Sequence, residues 1–341
     1  MSGTSLDGLD IACCEFSLDD RSWCYKIRCA ETIAYSRDWK NTLSGLESAS
    51  ALEYVTADIE YGHLLGMLTS EFIARHGLQP GLISSHGHTV FHQPGKRITS
   101  QIGNGAAIAA ETGLPVVCDF RTLDVALGGQ GAPLVPLGDR LLFGDFDCCL
   151  NLGGFANISF EIDGRRIAYD ICPANIVLNH LASLTGCEYD AGGMLAAAGT
   201  VNGPLLARLN DLPYYRMTPP KSLGKEWVLQ HIIHLLETGS ISANDLLATF
   251  CEHIAVQIAS ASNMKNSARI LVTGGGAFNN YLISRIRHYT LPEIVIPDAL
   301  TVNFKEALIF AFLGVLRQRH ENNCLQSVTG ASRDSSGGAI Y

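Results

Sequence analysis

The sequence begins Met1-Ser2-Gly3-Thr4-Ser5-Leu6-Asp7-Gly8-Leu9-Asp10 and runs straight into the apolar stretch Ile11-Ala12-Cys13-Cys14. That order reads as a tight loop feeding a strand. Gly3 and Gly8 permit positive φ and close approach of backbone N–H groups to a ligand. Ser2, Thr4 and Ser5 add hydroxyl donors. Asp7 and Asp10 add carboxylates suited to a hydrated Mg²⁺. A triphosphate with its metal ion asks for a loop of this make-up. An ordinary turn has the same composition, so the stretch alone leaves both readings open.

The 341 residues are enough for two domains with sizeable cores. The composition is globular, 47% hydrophobic and 17% charged, and the net charge of −9 argues against a nucleic-acid partner, which would need a basic stripe. A phosphate ligand stays open, because backbone amides can hold it. No apolar run approaches the roughly 20 residues of a membrane span, and the polar, glycine-bearing start does not read as a leader. The 11 cysteines include the adjacent pairs Cys13-Cys14 and Cys148-Cys149 and no C-x-x-C. They read as small buried hydrophobes in a reducing cytoplasm rather than as disulfides or a zinc cluster.

Along the chain, Leu9–Phe16, Trp23–Arg28 and Glu31–Tyr35 read as an antiparallel meander. Leu52–His76 has helical periodicity and ends at Gly77. The glycine- and proline-rich stretch 125–138 marks the expected domain crossover. This gives domains at 1–125, completed by about 314–341, and 126–313. Beyond it, Cys148–Leu152 and Ile158–Ile162 form a hairpin around Gly153-Gly154-Phe155-Ala156-Asn157. Further helices are expected at Trp227–Glu237, Asp245–Asn263 and Glu306–His320, with a Gly/Ser-rich surface tail from Gln326. The strand–glycine loop–strand design at 3–16 returns at 148–162, which suggests a cleft between two similar domains.

Three further segments carry chemistry. Asn151–Ser159 exposes glycine backbone, with Asn157 placed to fix the loop. Leu271-Val272-Thr273-Gly274-Gly275-Gly276 runs a buried strand into a helix, so a nucleoside or phosphate can rest on backbone. It is neither G-x-G-x-x-G nor a P-loop. Tyr169-Asp170-Ile171-Cys172-Pro173-Ala174-Asn175 puts Asp170 just ahead of a helix whose N–H groups favour its ionised form. Asp170 is there either as a helix cap or as a general base.

Taken together, Met1–Asp10, Ser85–Thr89, Gln101–Asn104, Asp119–Arg121, Gly128–Pro136, Asn151–Ser159, Asp170–Asn175, Pro220–Glu226 and Gly274–Asn279 resemble the anhydro-N-acetylmuramic acid kinase family, in the family's order over nearly the whole chain. The resemblance implies two ribonuclease-H-like α/β domains of the actin/hexokinase/Hsp70-like ATPase fold, with ATP in a central cleft. It implies ATP and Mg²⁺ as cofactors, a small-molecule sugar substrate, a homodimer and a role in cell-wall recycling. Carried over by position, Gly3, Thr4, Ser5, Leu6, Asp7, Gly8, Leu9 and Asp10 form the phosphate loop, with Asp7 and Asp10 toward Mg²⁺ through water. Gly153, Gly154 and Asn157 form a second phosphate loop, and Gly274, Gly275 and Gly276 the adenosine side. Asp170 matches the catalytic base. Sugar contacts fall to His86, Gln101, Asn104, Arg121 and Gln130, with Arg121 toward the lactyl carboxylate.

Two departures from the family pattern stand out. Cys172 and Ala174 replace common glycines, while Asp170, Pro173 and Asn175 remain and function is expected to survive. The family also has a short apolar strand ahead of the opening methionine. Its absence here predicts a loop anchored on one side, and a true start upstream is the expected explanation. The alternatives are an ATP-binding but catalytically impaired relative, and a metal-dependent hydrolase using the H-x-H pair His86/His88.

Overall fold

The computed structural model describes residues 1–3, 6, 8–20, 22–237, 240–263 and 268–341. Its strands are β1 (Gly8–Asp19), β2 (Ser22–Ala34), β3 (Ile83–Ser84), β4 (His88–Gln93), β5 (Ile98–Ile102), β6 (Val116–Cys118), β7 (Cys148–Leu152), β8 (Phe155–Ile162), β9 (Arg165–Pro173), β10 (Arg269–Thr273), β11 (Glu293–Val295) and β12 (Ala339–Ile340). The chain divides into two compact α/β units, Met1–Leu142 with Phe304–Tyr341, and Phe143–Asn303.

In the second unit the sheet order is β11-β10-β7-β8-β9. The first three strands in sequence, β7, β8 and β9, pair antiparallel, while β10 lies parallel to β7 and β11 parallel to β10. This is the ribonuclease-H-like arrangement, and the α/β fold class read from the sequence holds. Central strands covered on both faces need unbroken apolar sequence. Cys148-Cys149-Leu150 and Ile270-Leu271-Val272 supply it, each residue buried. The helix Ala243–Asn263 buries Leu247, Phe250, Ile254 and Ile258 at helical spacing.

The first unit is built from smaller sheets. β1 and β2 form a hairpin of their own, paired from Gly8↔Ala34 to Asp19↔Ser22, so the expected three-strand meander is two long strands. β12, β6 and β3 form a second sheet, and β4–β5 a third. Between the β1 stretch Leu9–Phe16 and the β3 stretch Leu82–Ser85 lies a cavity of about 870 Å³, lined also by Leu65, Phe72 and Phe310. The helix Ala51–His76 starts in a Ser50/Glu53 capping box and ends at Gly77 in the left-handed region, φ 59°.

Several boundaries differ from expectation for packing reasons. The units divide at Leu142/Phe143 and Asn303/Phe304, not near 125/126 and 313/314. The glycine-rich stretch after residue 125 is folded into the first unit. There the N–H of Gly131 donates to Asp124 Oδ2 (2.7 Å) and that of Gln130 to the Thr329 carbonyl (2.8 Å). The C-terminal tail is not a surface strap, because β12 pairs antiparallel with β6 through Ala339↔Cys118 and Ile340↔Val117. The 225–236 segment is helical but passes through a π-turn at Leu229–Ile233. The helix Ala299–Gln318 is longer than expected and has the length and hydropathy of a membrane span, contrary to the sequence reading. It is a core helix, with Leu308, Ile309, Phe312 and Leu313 at 0% exposure.

That helix also brings Lys305 to Asp139, Nζ to Oδ1 2.7 Å, with both side chains under 8% exposed. Removing one partner of a buried pair strands the other charge. Lys305→Met is expected to lower the unfolding free energy by about 3–5 kcal/mol in denaturant titrations, and Asp139→Leu combined with it to recover most of that loss.

Candidate active site

In the second unit the site begins at the Gly153-Gly154 turn between β7 and β8. The Gly154 carbonyl accepts from the N–H groups of Ala174 (2.8 Å) and Ile176 (3.2 Å), and the Gly153 carbonyl from Asn175 (3.1 Å). The end of β9 is thereby tied to the first turn of the helix Asn175–Ser183. Asn175 Nδ2 donates to the Leu152 carbonyl, 3.0 Å. The Gly274–Gly276 loop packs on the same strand end. Gly274 has φ 82°, and a Cβ there would come 2.6 Å from Asn151 Oδ1, so both backbone conformation and space require glycine. The Asn151–Gly154, Asn175 and Gly274–Gly276 segments therefore converge. Asn157 does not belong to the turn. It lies on β8 opposite Asp170, beside a bulge at Ala156/Asn157.

Asp170 is not a helix cap. Ala174 occupies the cap position of the following helix, without a side-chain bond. Asp170 Oδ2 instead accepts from the Leu223 N–H, 2.9 Å, and its backbone N–H donates to the Lys221 carbonyl, 3.3 Å. The Tyr214 hydroxyl donates to the Asp170 carbonyl, 2.6 Å. The sequence reading had helix N–H groups holding this carboxyl ionised. Burial pushes it above the ordinary aspartate value instead, opposed by the Leu223 N–H. Cys172 and Ala174, the two departures from the family pattern, are both fully buried. The Lys221–Leu223 clamp has no signature of its own in composition or periodicity.

In the first unit the opening loop is partly described; Thr4, Ser5 and Asp7 lie outside the described residues. Met1 and Ser2 pair with the start of β1. The amino terminus donates to the Asp10 carbonyl (2.7 Å), the Asp10 N–H donates to the Met1 carbonyl (2.9 Å), and Ser2 bridges Leu9. Positive φ falls at Leu6, 59°. Gly8 is needed for another reason, since a Cβ would lie 2.4 Å from the Ile33 carbonyl oxygen of β2. Leu9 is a core side chain, and Leu6 packs on the same core. The Ser2 hydroxyl is spent inside the protein, accepting from Tyr35 (2.8 Å) and meeting His88 Nδ1 (3.0 Å). Asp10 Oδ1 accepts from Thr32 Oγ1, 2.6 Å.

A second cluster of this unit centres on His86 and Arg121. His86 Nε2 accepts from Arg121 Nε (3.0 Å) and faces Nη2 (2.8 Å), so the proton sits on Nδ1, which donates to the Gly87 carbonyl. Arg121 Nη1 donates to the Gly131 carbonyl, 2.6 Å, and three of its five N–H groups are thus engaged. Burial and the Arg121 charge hold the His86 imidazole well below its ordinary pKa, and burial lowers Arg121 to about 10. A guanidinium on His86 Nε2 and Ser2 on His88 Nδ1 overturn the metal-hydrolase reading of this pair. Among the described residues no group of three His, Cys, Asp or Glu side chains could hold an ion. Gln101 donates to Thr99 (3.0 Å), while its Oε1 is buried with no partner. Asn104 caps the helix Gly105–Thr112 and bonds Asp58, so its amide is structurally engaged. Gln130 is exposed.

Glu306 was not singled out from the sequence. It is exposed to solvent. Its signal was available, as one of two charges, Lys305-Glu306, in an otherwise apolar helix stretch.

A family model described as anhydro-N-acetylmuramic acid kinase matches residues 1–341. The chain belongs to that family. It is therefore a kinase, a phosphotransferase. Anhydro-N-acetylmuramic acid kinases from Sulfurovum sp. (34% identical over 357 residues) and Saccharophagus degradans (35% over 368) each match 100% of this chain and 97% of their own length. The one from Paramagnetospirillum magneticum is 35% identical over 351 residues, 99% of this chain and 97% of its own.

The His86 geometry gives a pH prediction. Its pKa in the folded protein lies below the unfolded value, so the unfolded chain binds the extra proton first. This imidazole's contribution to stability is complete above the ordinary histidine pKa. It is lost by about 1.4 kcal/mol per pH unit below it, down to the depressed native value. In ¹⁵N NMR, His86 is expected to be the neutral Nδ1–H tautomer at the ordinary histidine pKa of about 6.5; a His86 half-protonated there contradicts the structure.

Proposed function

We propose that the chain transfers the γ-phosphoryl group of ATP to 1,6-anhydro-N-acetylmuramic acid while water opens the anhydro bridge. The product is N-acetylmuramic acid 6-phosphate, as peptidoglycan recycling requires. The observation that carries this reading, beyond family membership, is Asp170. It is a half-buried carboxylate on an edge strand, held by one backbone N–H and without a counter-cation bonded to it among the described residues. Burial makes it more basic than a surface aspartate, and it remains the sole described carboxylate at the end of β9.

Asp170 takes a proton from water as the water oxygen attacks the anomeric carbon. The C1–O6 bond breaks with its electron pair on O6, and O6 attacks the γ-phosphorus, releasing ADP. Backbone N–H groups of the Gly3–Asp10 loop, the Gly153-Gly154 turn and the Gly274–Gly276 loop orient the nucleotide. Gln101, Arg121 and Gln130 contact the sugar, with His86 orienting the Arg121 guanidinium, and the unpartnered Gln101 Oε1 suits a sugar hydroxyl. For Mg²⁺ the donor set is small, namely Asp10 and, outside the described residues, Asp7. That fits an ion carried in on the phosphates, which needs one or two carboxylates, and not a resident ion. When bound, it neutralises charge on the phosphate oxygens.

The test is ³¹P NMR of the protein with ATP, Mg²⁺ and the anhydro-sugar. A 6-phosphosugar with an open ring is expected, and ATP hydrolysis without sugar phosphate would overturn the reading. Asp170→Asn is expected to lower kcat by about 10²–10⁴-fold, the range of a lost general base, while nucleotide affinity by calorimetry stays unchanged.

A further inference from the structure

The segment Pro220-Lys221-Ser222-Leu223 has no role in the chemistry above, yet it holds Asp170. β9 is an edge strand of its sheet. The segment lies along that edge with one backbone bond, Asp170 N–H to the Lys221 carbonyl at 3.3 Å, and one bond to the carboxylate, Leu223 N–H to Oδ2 at 2.9 Å. Two bonds to an edge do not fix a loop. Lys221 adds the anchor. Its ammonium lies 4.6 Å from the centroid of the Tyr214 ring and 5.6 Å from that of Tyr169, and it donates to the Tyr214 carbonyl at 3.2 Å. Tyr169 precedes Asp170 on β9. Tyr214 donates its hydroxyl to the Asp170 carbonyl and packs against Trp227, centroids 5.4 Å apart. The cation is thus clasped by rings that belong to the base's own strand and to its covering loop.

We propose that Lys221 is a positioning residue. By clasping Tyr169 and Tyr214 it pins the 220–223 segment to the edge of β9, so that the Leu223 N–H aims the Asp170 carboxylate at the attacking water. The inference rests on Asp170 being the base. Lys221 does not act by direct charge, since its bonded acceptor is the Tyr214 carbonyl. The other titratable groups around Asp170 are Cys172, Tyr169 and Tyr214. Burial pushes all three up and keeps them neutral near pH 7, so an acid limb in the pH profile reports Asp170.

The experiment compares wild type, Lys221→Met, Lys221→Arg and Leu223→Pro by kcat, KM for ATP, the pH profile of kcat/KM and Tm. Lys221→Met is expected to lower kcat about tenfold or more with KM for ATP unchanged, as for a misaimed catalytic group. Its acid limb moves to higher pH, because the N–H that favours the charged carboxylate is loosened while burial persists. Lys221→Arg, still a cation over two rings, restores both. Leu223→Pro lacks the N–H and moves the acid limb the same way with Lys221 intact, which covers the case of a poorly folded Lys221→Met. An unmoved acid limb in both Lys221→Met and Leu223→Pro overturns the proposal, as does a loss in Lys221→Met that tracks Tm alone. Asp170→Asn, run alongside, separates the two claims. Wild-type turnover in that variant sinks the base itself, whereas an inactive Asp170→Asn with a normal Lys221→Met sinks only the positioning role.

Discussion

The second unit depends on one junction, where two glycine carbonyls of the β7–β8 turn accept three N–H groups from the start of the helix Asn175–Ser183. A helix start leaves such donors without partners, and a free helix start would offer them to a phosphate or to a capping carboxylate. Here the turn consumes them. Asp170, a few residues upstream, is thereby released from capping and is held by a neighbouring loop instead. The same junction brings Asn175 against Leu152 and the Gly274–Gly276 loop. One local hydrogen-bond pattern therefore decides both where the glycine loops converge and what charge environment the aspartate meets.

The first unit follows a different constraint. Its opening residues satisfy themselves by pairing back on β1, and the side chains that looked like ligand donors are partly absorbed. Ser2 enters a buried network with Tyr35, Tyr61 and His88. Arg121 and His86 hold each other neutral-on-cationic rather than as two charges, an arrangement that orders the guanidinium without placing two positive charges side by side. Lys305 and Glu306 are neighbours in one helix with opposite fates, the first in a buried pair with Asp139 and the second open to solvent.

Much of this was legible in the sequence. Buried strands wrote themselves as unbroken apolar runs at Cys148–Leu150 and Ile270–Val272, and Gly77 marked a helix end. The glycine loops and Asp170 were visible as motifs. What was not legible was who bonds to whom. Asp170 as a cap followed from its distance to a helix start, and only the tertiary use of that start by Gly153 and Gly154 excludes it. The stretch after residue 125 looked like a linker because glycine and proline break regular structure, but Asp124 collects the Gly131 N–H, and Thr329, about 200 residues on, collects that of Gln130. The tail lacked apolar periodicity, yet two residues, Ala339 and Ile340, suffice to close a sheet.

The central claim is that burial, not a helix terminus, sets the charge of Asp170 and makes it the base. The most direct measurement is ¹³C NMR of the protein labelled at aspartate Cγ, with the Asp170 signal assigned by its disappearance in Asp170→Asn. The account predicts a titration midpoint above the ordinary aspartate value. A midpoint below that value would mean a carboxylate stabilised in its charged form, as a helix cap would be, and would contradict the account.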